Sequence, residues 1–325
     1  MKLYAVPILL LLSSIVSGQN ISGVVNTYHR VTAINTTTNT LTLSSAAGLS
    51  PGVKILIIQM KGATIDVTNT AAFGNITTLS TAGNYEFNSV CAVAGDQILL
   101  MFQLASTYNV GGLVQVVSVP RYTDAVVTDT LKAIPWDPVQ GTGGIIAIEA
   151  SSSITLLAPI DVQGMGFKGG AFVNHPEPPY GCDPLTTVSA FFLSSPVSGQ
   201  QVGGTKGEGV STVVATMING KGKLANGGGG GNNHNTGGGG GGNFGTGGNG
   251  GRRTNEGITG CHGQHPGVGG LSMSAYGYGS GANNRVFLGG GGGSGEGNNN
   301  IATAGANGGG IIFIKTPSLI GNNQL

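Results

Sequence analysis

Between residues 22 and about 120 the apolar and polar positions are strand-like, in part with the period of two of a half-buried strand. Thr40-Leu41-Thr42-Leu43 shows it, after a Thr/Asn turn that follows the strand-like stretch 28–34. Residues 53–60 and 97–102 are apolar almost without a break, which predicts buried strands. Leu49-Ser50-Pro51-Gly52 and Ala94-Gly95-Asp96 mark turns, where Pro presets a tight bend and Gly takes positive φ without a steric penalty. Strand, glycine turn and apolar strand therefore succeed one another twice. Residues 113–119 add another strand, closed by Pro120. With no helical period present, residues 19–120 are expected to form one small antiparallel β domain, a barrel or a sandwich.

Residues 121–142 read as a connector. Ile134-Pro135-Trp136-Asp137-Pro138 holds the single Trp between two prolines, and Trp136 is expected to pack across the seam between two domains. Then comes Gly143-Gly144-Ile145-Ile146-Ala147-Ile148, and the phrase returns as Gly309-Gly310-Ile311-Ile312-Phe313-Ile314. Each copy leads through a serine-bearing turn to a second short strand. A repeated unit of this kind predicts a β-solenoid-like rung, or one side of a sheet that the other copy completes. Residues 143–325 are thus read as a β-solenoid-like or β-sandwich unit with a glycine-rich insert over 226–310, clamped at both ends by paired strands. Residues 160–164 have no counterpart after the second copy, so the pattern predicts an N-terminal piece of something longer, truncated at its C-terminus.

The insert changes the picture most. The chain has 62 Gly in 325 residues, with unbroken runs at 227–231, 237–242 and 289–293. Such a stretch has almost no side chains to bury. It is either a flexible coil, or its backbones approach more closely than any Cβ allows and hydrogen-bond to one another. Charged residues make up only 8 %, against about 25 % in ordinary soluble domains, whereas disordered chains are usually charge-rich. The profile suits extracellular β architecture. A net charge of +1 supplies no field for nucleic acid or an anionic membrane.

The N-terminus reads as a signal peptide over 1–18. Lys2 gives the positive start, residues 6–12 the apolar core, and Val16-Ser17-Gly18 a small-residue cleavage site. The apolar run is shorter than the ~20 residues of a membrane span, so the mature chain is expected to have no span and to be secreted or on the cell surface. An exported chain permits disulfides, and three cysteines leave one over. Cys91 lies in the apolar run 90–93 and reads as a buried strand thiol. Cys182 and Cys261, both in Gly/Pro-rich loops, form the candidate pair, the alternative being three free thiols.

Specific chemistry is sparse. Gly164-Met165-Gly166-Phe167-Lys168-Gly169 matches the dinucleotide fingerprint literally, but the next stretch, residues 170–179 with three prolines, cannot open the helix that would hold a pyrophosphate. Calcium-binding β-rolls need an Asp in each repeat, and 226–310 holds only Glu256 and Glu296 as acids. Cys261, His262 and His265, with His234 upstream, lack the second Cys pair of a zinc site. No nucleophile elbow is present. Neither cofactor nor metal is expected. The residues best suited to contact a ligand are Arg252, Arg253, His262, His265, Tyr276 and Tyr278, because Tyr and Arg beside Gly and Asn give adaptable contact surfaces at low entropic cost. The competing reading makes them loop residues capping glycine layers.

At Met60-Lys61-Gly62-Ala63-Thr64, Gly83-Asn84-Tyr85-Glu86-Phe87, Gly204-Thr205-Lys206-Gly207-Glu208-Gly209 and the run 226–245, the chain resembles the N-terminal region of large exported Bacteroidetes surface proteins. Many of those are similar to adhesins and end in a type IX secretion sorting domain, which this sequence lacks. In composition, the glycine segment also resembles regions of receptor ectodomains and phage tail-tip adhesins in which polyglycine II helices pack side by side. The resemblance implies an ordered bundle built on 227–231, 237–242 and 289–293, further C-terminal domains in full-length relatives, and no catalytic residues. The expected protein is an all-β, non-enzymatic surface module for adhesion or structural display, meeting a glycan or a surface protein through loops such as 232–236 and 252–278. Two alternatives stand beside it. One is a carbohydrate-active or other hydrolytic enzyme on the β-solenoid, which needs facing carboxylates in a groove. The other is a purely structural spacer.

Overall fold

A computed structural model of the chain describes residues 18–172, 174–175, 190–193, 203–212, 215–232, 236–252, 265–277, 284–298 and 303–321. Among these the regular structure is all β, apart from two single-turn 3-10 stretches. In chain order the strands are β1 (Gln19–Gly23), β2 (Tyr28–Asn35), β3 (Thr40–Leu43), β4 (Lys54–Gln59), β5 (Thr64–Ile65), β6 (Ile76–Thr78), β7 (Tyr85–Ala94) and β8 (Gln97–Leu100). They continue as β9 (Val114–Ser118), β10 (Arg121–Lys132), β11 (Ile145–Leu156), β12 (Ile160–Asp161), β13 (Asn174–His175), β14 (Gly297–Asn298), β15 (Ile311–Lys315) and β16 (Ser318–Gly321).

Strands β2-β3-β8-β7-β4-β9 close into an antiparallel barrel. Its two glycine turns take the predicted conformation, with φ +89° at Gly52 and +60° at Gly95. The unbroken apolar runs now have a cause. In β4, Ile55 and Ile57 fill the barrel together with Val114 and Val116 of β9. Their neighbours Leu56 and Ile58, with Val117, face outward into a second core. A strand covered on both faces has no polar side to alternate with.

The second unit is a parallel sheet in the order β1-β10-β11-β15, with β12 extending beside β10 and β16 beside β11. The two glycine-isoleucine phrases lie side by side in register, Ile145 against Ile311 and Ile148 against Ile314. Their follow-on strands also match, Ile154 against Leu319. The stretch 121–142, read as a connector, in fact carries the 12-residue β10 at the centre of this sheet. Strand β1, read as part of the barrel unit, pairs with β10 instead. Parallel stacking buries Val127, Leu131, Ile146 and Ile148 on one face. The opposite face, with Ile145 and Ala147, meets β4 and β9 of the barrel.

Trp136 sits in that seam, fully buried. Its ring meets Phe167 edge-on, with centroids 5.9 Å apart, and the same core takes in Leu224, just before the glycine-rich segment, and Leu288 within it. Asn26 ties the two units through its side-chain amide, donating to the carbonyls of Ser118 (2.8 Å) and Ala147 (2.7 Å). Cys91, expected to be a buried thiol, is exposed. It is the extra residue of a β-bulge between Val90 and Ala92, so the alternation of β7 slips there and turns the side chain to solvent.

The glycine runs form a bundle of extended segments joined through their backbones. From Gly289 to Glu296 every N–H is bonded, and the partner segment changes with a period of three. Gly289, Gly292 and Gly295 donate to Gly309, Ala306 and Thr303. Gly290, Gly293 and Glu296 donate to Gly242, Gly239 and Thr236, while Gly291 and Ser294 donate to Glu208 and Thr205. Segment 228–232 behaves alike: Gly228 and Gly231 donate to Gly291 and Ser294, and Gly229 and Asn232 to Val268 and His265. Three residues per turn without internal hydrogen bonds is polyproline II geometry. No described glycine in 226–310 has positive φ. At its inner positions the packing leaves no room for side chains: a Cβ on Gly290 would stand 1.9 Å from Asn226 O, and one on Gly293 2.0 Å from Gly229 O.

The dinucleotide-like glycines belong to the same bundle. Gly166 N donates to Gly308 O, and a Cβ on Gly169 would meet Gly305 O at 1.9 Å. Their spacing of three is one turn of the extended helix facing segment 305–309.

Candidate functional site

Two ends of the bundle carry the side chains that interrupt the glycines. Segment 265–271 runs between them, and at about 3.1 Å per residue its ends lie roughly 19 Å apart.

At one end are Arg252, which is exposed, and His265, which is half-buried. His265 Nδ1 lies 3.4 Å from Lys221 Nζ. Burial, then the charges of Lys221 and Arg252, hold the imidazole below its ordinary pKa. Lys221 in turn lies 4.5 Å from the centroid of the Phe191 ring. This end is a small cationic cluster. Arg253, His262, Tyr278 and the candidate disulfide Cys182–Cys261 lie outside the described residues.

At the other end a cavity of about 310 Å³ is lined by Asn243, Phe244, Met273, Ser274, Arg285 and Phe287, among others. Phe244 is 83 % exposed, the most open large apolar side chain among the described residues. Its loop is held from behind. Met273 N donates to Asn243 O (2.6 Å), Asn243 Nδ2 donates to Phe287 O (3.2 Å), and Ser272 Oγ donates to Phe244 O. Arg285 is anchored through Nη1 to Ala82 O at 2.8 Å, and burial lowers its pKa. Tyr276 is placed beside this end, but it packs partly buried against the core that contains Met273, with its N–H bonded to Met273 O. The sequence pattern singles out Tyr276 and passes over Phe244, whose only signal is an aromatic residue isolated among glycines. No carboxylate appears among the residues lining this cavity, so its described walls offer stacking and hydrogen bonding rather than acid–base chemistry.

Two partly buried carboxylates elsewhere are engaged. Glu149 is contacted by Lys54 (2.5 Å), Lys315 (3.0 Å) and Arg121 (3.8 Å), and its pKa is lowered, foremost by the Lys54 hydrogen bond. Glu208 pairs with Lys61 at 2.6 Å and accepts from Trp136 Nε1 (3.0 Å) and Lys168 N (2.9 Å). No helix among the described residues is long and apolar enough to cross a membrane.

No protein-family model matches the chain. No curated protein matches it either. Among solved structures it is similar to the tailspike protein gp49 from Pseudomonas phage LKA1, with 13 % identity and a TM-score of 0.21 over 50 % of this chain and 25 % of that one. It is also similar to the Gp54 tailspike of Acinetobacter baumannii bacteriophage AP22, solved in complex with A. baumannii capsular saccharide, with 9 % identity and a TM-score of 0.21 over 47 % and 26 % of the two chains. The chain thus spans about a quarter of each tailspike, and likenesses of this size carry no argument.

Proposed function

We propose that this chain is an exported, non-enzymatic surface module. Its glycine bundle acts as a rigid mount, and the cavity at the Phe244 end holds a glycan of the extracellular surroundings. The observation that carries this reading is the 83 % exposure of Phe244 on a loop held by three hydrogen bonds to Ser272, Met273 and Phe287. An open aromatic face takes the apolar C–H face of a sugar ring, and convergent polar groups such as Asn243, Ser274 and Arg285 orient its hydroxyls. Because these bonds hold the loop before a ligand arrives, binding orders few further groups, which keeps the entropic cost low.

A glycan array probed with the chain lacking residues 1–18 tests this. At least one saccharide class should be retained, and Phe244→Ala should abolish its binding while leaving the melting temperature unchanged. An array on which nothing is retained, or retention indifferent to Phe244→Ala, overturns the reading and leaves a spacer.

A further inference from the structure

Segment 288–296 is the central member of the glycine bundle, and its hydrogen bonds number its neighbours. Its N–H groups donate to three segments: 303–309, 236–242 and 205–208. Two of its carbonyl rows accept from two more, Phe167 and Gly170 donating to Gly289 and Gly292, and Gly228 and Gly231 donating to Gly291 and Ser294. The neighbours are also bonded to each other in turn: Gly308 to Phe167, Glu208 to Lys168, Gly207 to Gly228, and Gly239 to Gly229. Five segments therefore surround the central one, alternating between those that take its protons and those that give it theirs.

A helix with three residues per turn has six such sides, three donor rows and three acceptor rows. The sixth side lies between 237–242 and 303–309, where no described segment bridges the two. It is a groove of about 600 Å³. The alternation requires it to be an acceptor side, and among the described residues the carbonyls of Gly290 and Gly293 accept nothing. On the wall, the N–H groups of Gly238 and Gly241 donate to nothing among the described residues. Both sets repeat every three residues. A backbone with unpaired polar groups in a regular row is a template for pairing with another chain, as at the edge of a sheet.

We propose that this groove binds one extended glycine-rich segment of a separate partner protein, which completes the sixth side of the bundle. Its N–H groups would meet Gly290 and Gly293, and its carbonyls Gly238 and Gly241. The outer segment 247–251, which packs against 237–242 in the same manner, shows the sequence such an occupant needs. It reads Gly-Gly-Asn-Gly-Gly, glycine where backbones meet and a side chain on the third row. A second copy of this chain is the lesser candidate, because its three unbroken glycine runs are already bonded within its own bundle.

Gly292 provides the test. A Cβ there has no neighbour closer than 3.5 Å, its nearest atoms being Gly239 O on one wall and Ala306 N on the other. Gly292→Ala therefore fits the fold and puts a methyl group on the groove floor. Fluorescein-labelled (Gly-Gly-Asn)4 is titrated into the full chain, with (Ala-Ala-Asn)4 as control. Saturable binding of the glycine peptide alone is expected, with slowed exchange of the Gly238 and Gly241 amides. Gly292→Ala should weaken binding at least tenfold at an unchanged melting temperature. Absence of binding at millimolar peptide, equal binding of the alanine peptide, or indifference to Gly292→Ala overturns the proposal. Self-association of the chain that Gly292→Ala abolishes overturns the assignment to a separate partner, and binding of neutral oligosaccharide that Gly292→Ala abolishes and Phe244→Ala leaves intact overturns the ligand class.

Discussion

The indole N–H of Trp136 donates to the carboxylate of Glu208 at 3.0 Å, and the same oxygen accepts the backbone N–H of Lys168. One carboxylate thus joins the seam between barrel and sheet to the first two segments of the bundle, with Lys61 balancing its charge. Removing one partner from a largely buried charged network leaves the rest uncompensated, at a cost of about 3–5 kcal/mol. Glu208→Ala should lose that much in denaturant unfolding, and Glu208→Gln less. A loss below about 1 kcal/mol for Glu208→Ala would show that the carboxylate is incidental.

The bundle should tell its inner glycines from its outer ones. Gly290→Ala would set a methyl carbon 1.9 Å from a backbone oxygen, whereas Gly248→Ala meets nothing within 4 Å. Overpacking of a rigid interior costs about 1–3 kcal/mol and sometimes more. Gly290→Ala is expected at or above the top of that range and Gly248→Ala within about 0.5 kcal/mol of neutral, read as paired thermal melts.

Amide exchange should trace the same map. The N–H groups of Gly228, Gly229, Gly231, Gly290, Gly291 and Gly293 all donate within the bundle. They are expected to be protected for minutes or longer, since exchange there needs the bundle to open. Exchange within seconds at these sites would mean that the segments are a tether rather than a scaffold.

Stability should decline as pH falls from 8 toward 5. Burial holds both His29 and His265 below the ordinary imidazole value. The unfolded chain then binds protons more readily than the fold, so stability is lost as pH drops below about 6.5. Glu149, whose folded pKa is also depressed, adds a loss of the same sign in more acid solution, below about 4.3. Urea midpoints across this range measure both steps, and His29→Gln should flatten part of the first. A midpoint constant between about pH 8 and 5 rules the histidine contribution out.

The bulge in β7 predicts a reactive thiol. Cys91 should be modified by a maleimide in the native chain without unfolding, whereas the buried strand thiol read from its apolar neighbours would resist.

How much of this was written in the sequence depended on how many sides of each element are covered. Residues 227–231, 237–242 and 289–293 stand out because most of their positions pack against other backbones, where a Cβ would clash. Outer members such as 166–170 and 305–309 carry side chains on their free rows, so only glycines three apart betray them, and in a glycine-rich chain that spacing looks accidental. Strand β10 escaped notice because Thr123, Asp124 and Thr128 interrupt its apolar positions between flanking prolines. The pairing of Ile145 with Ile311 was legible, since the same phrase appears twice. Phe244 was not, because exposure is decided by how neighbouring loops fold back.

An interior made of peptide groups also sets how the molecule answers to temperature. Exposing apolar surface raises the heat capacity of unfolding by about 0.45 cal/mol/K per Å², whereas exposing polar surface lowers it by about 0.26. In the barrel and sheet the first term dominates. In the bundle, where Gly227, Gly230 and Gly290 are buried against other backbones, the second offsets much of it. Its stability curve is therefore flatter than that of an oily core of equal size, and cooling weakens it less, which suits the exported mount we propose, held at whatever temperature its surroundings impose.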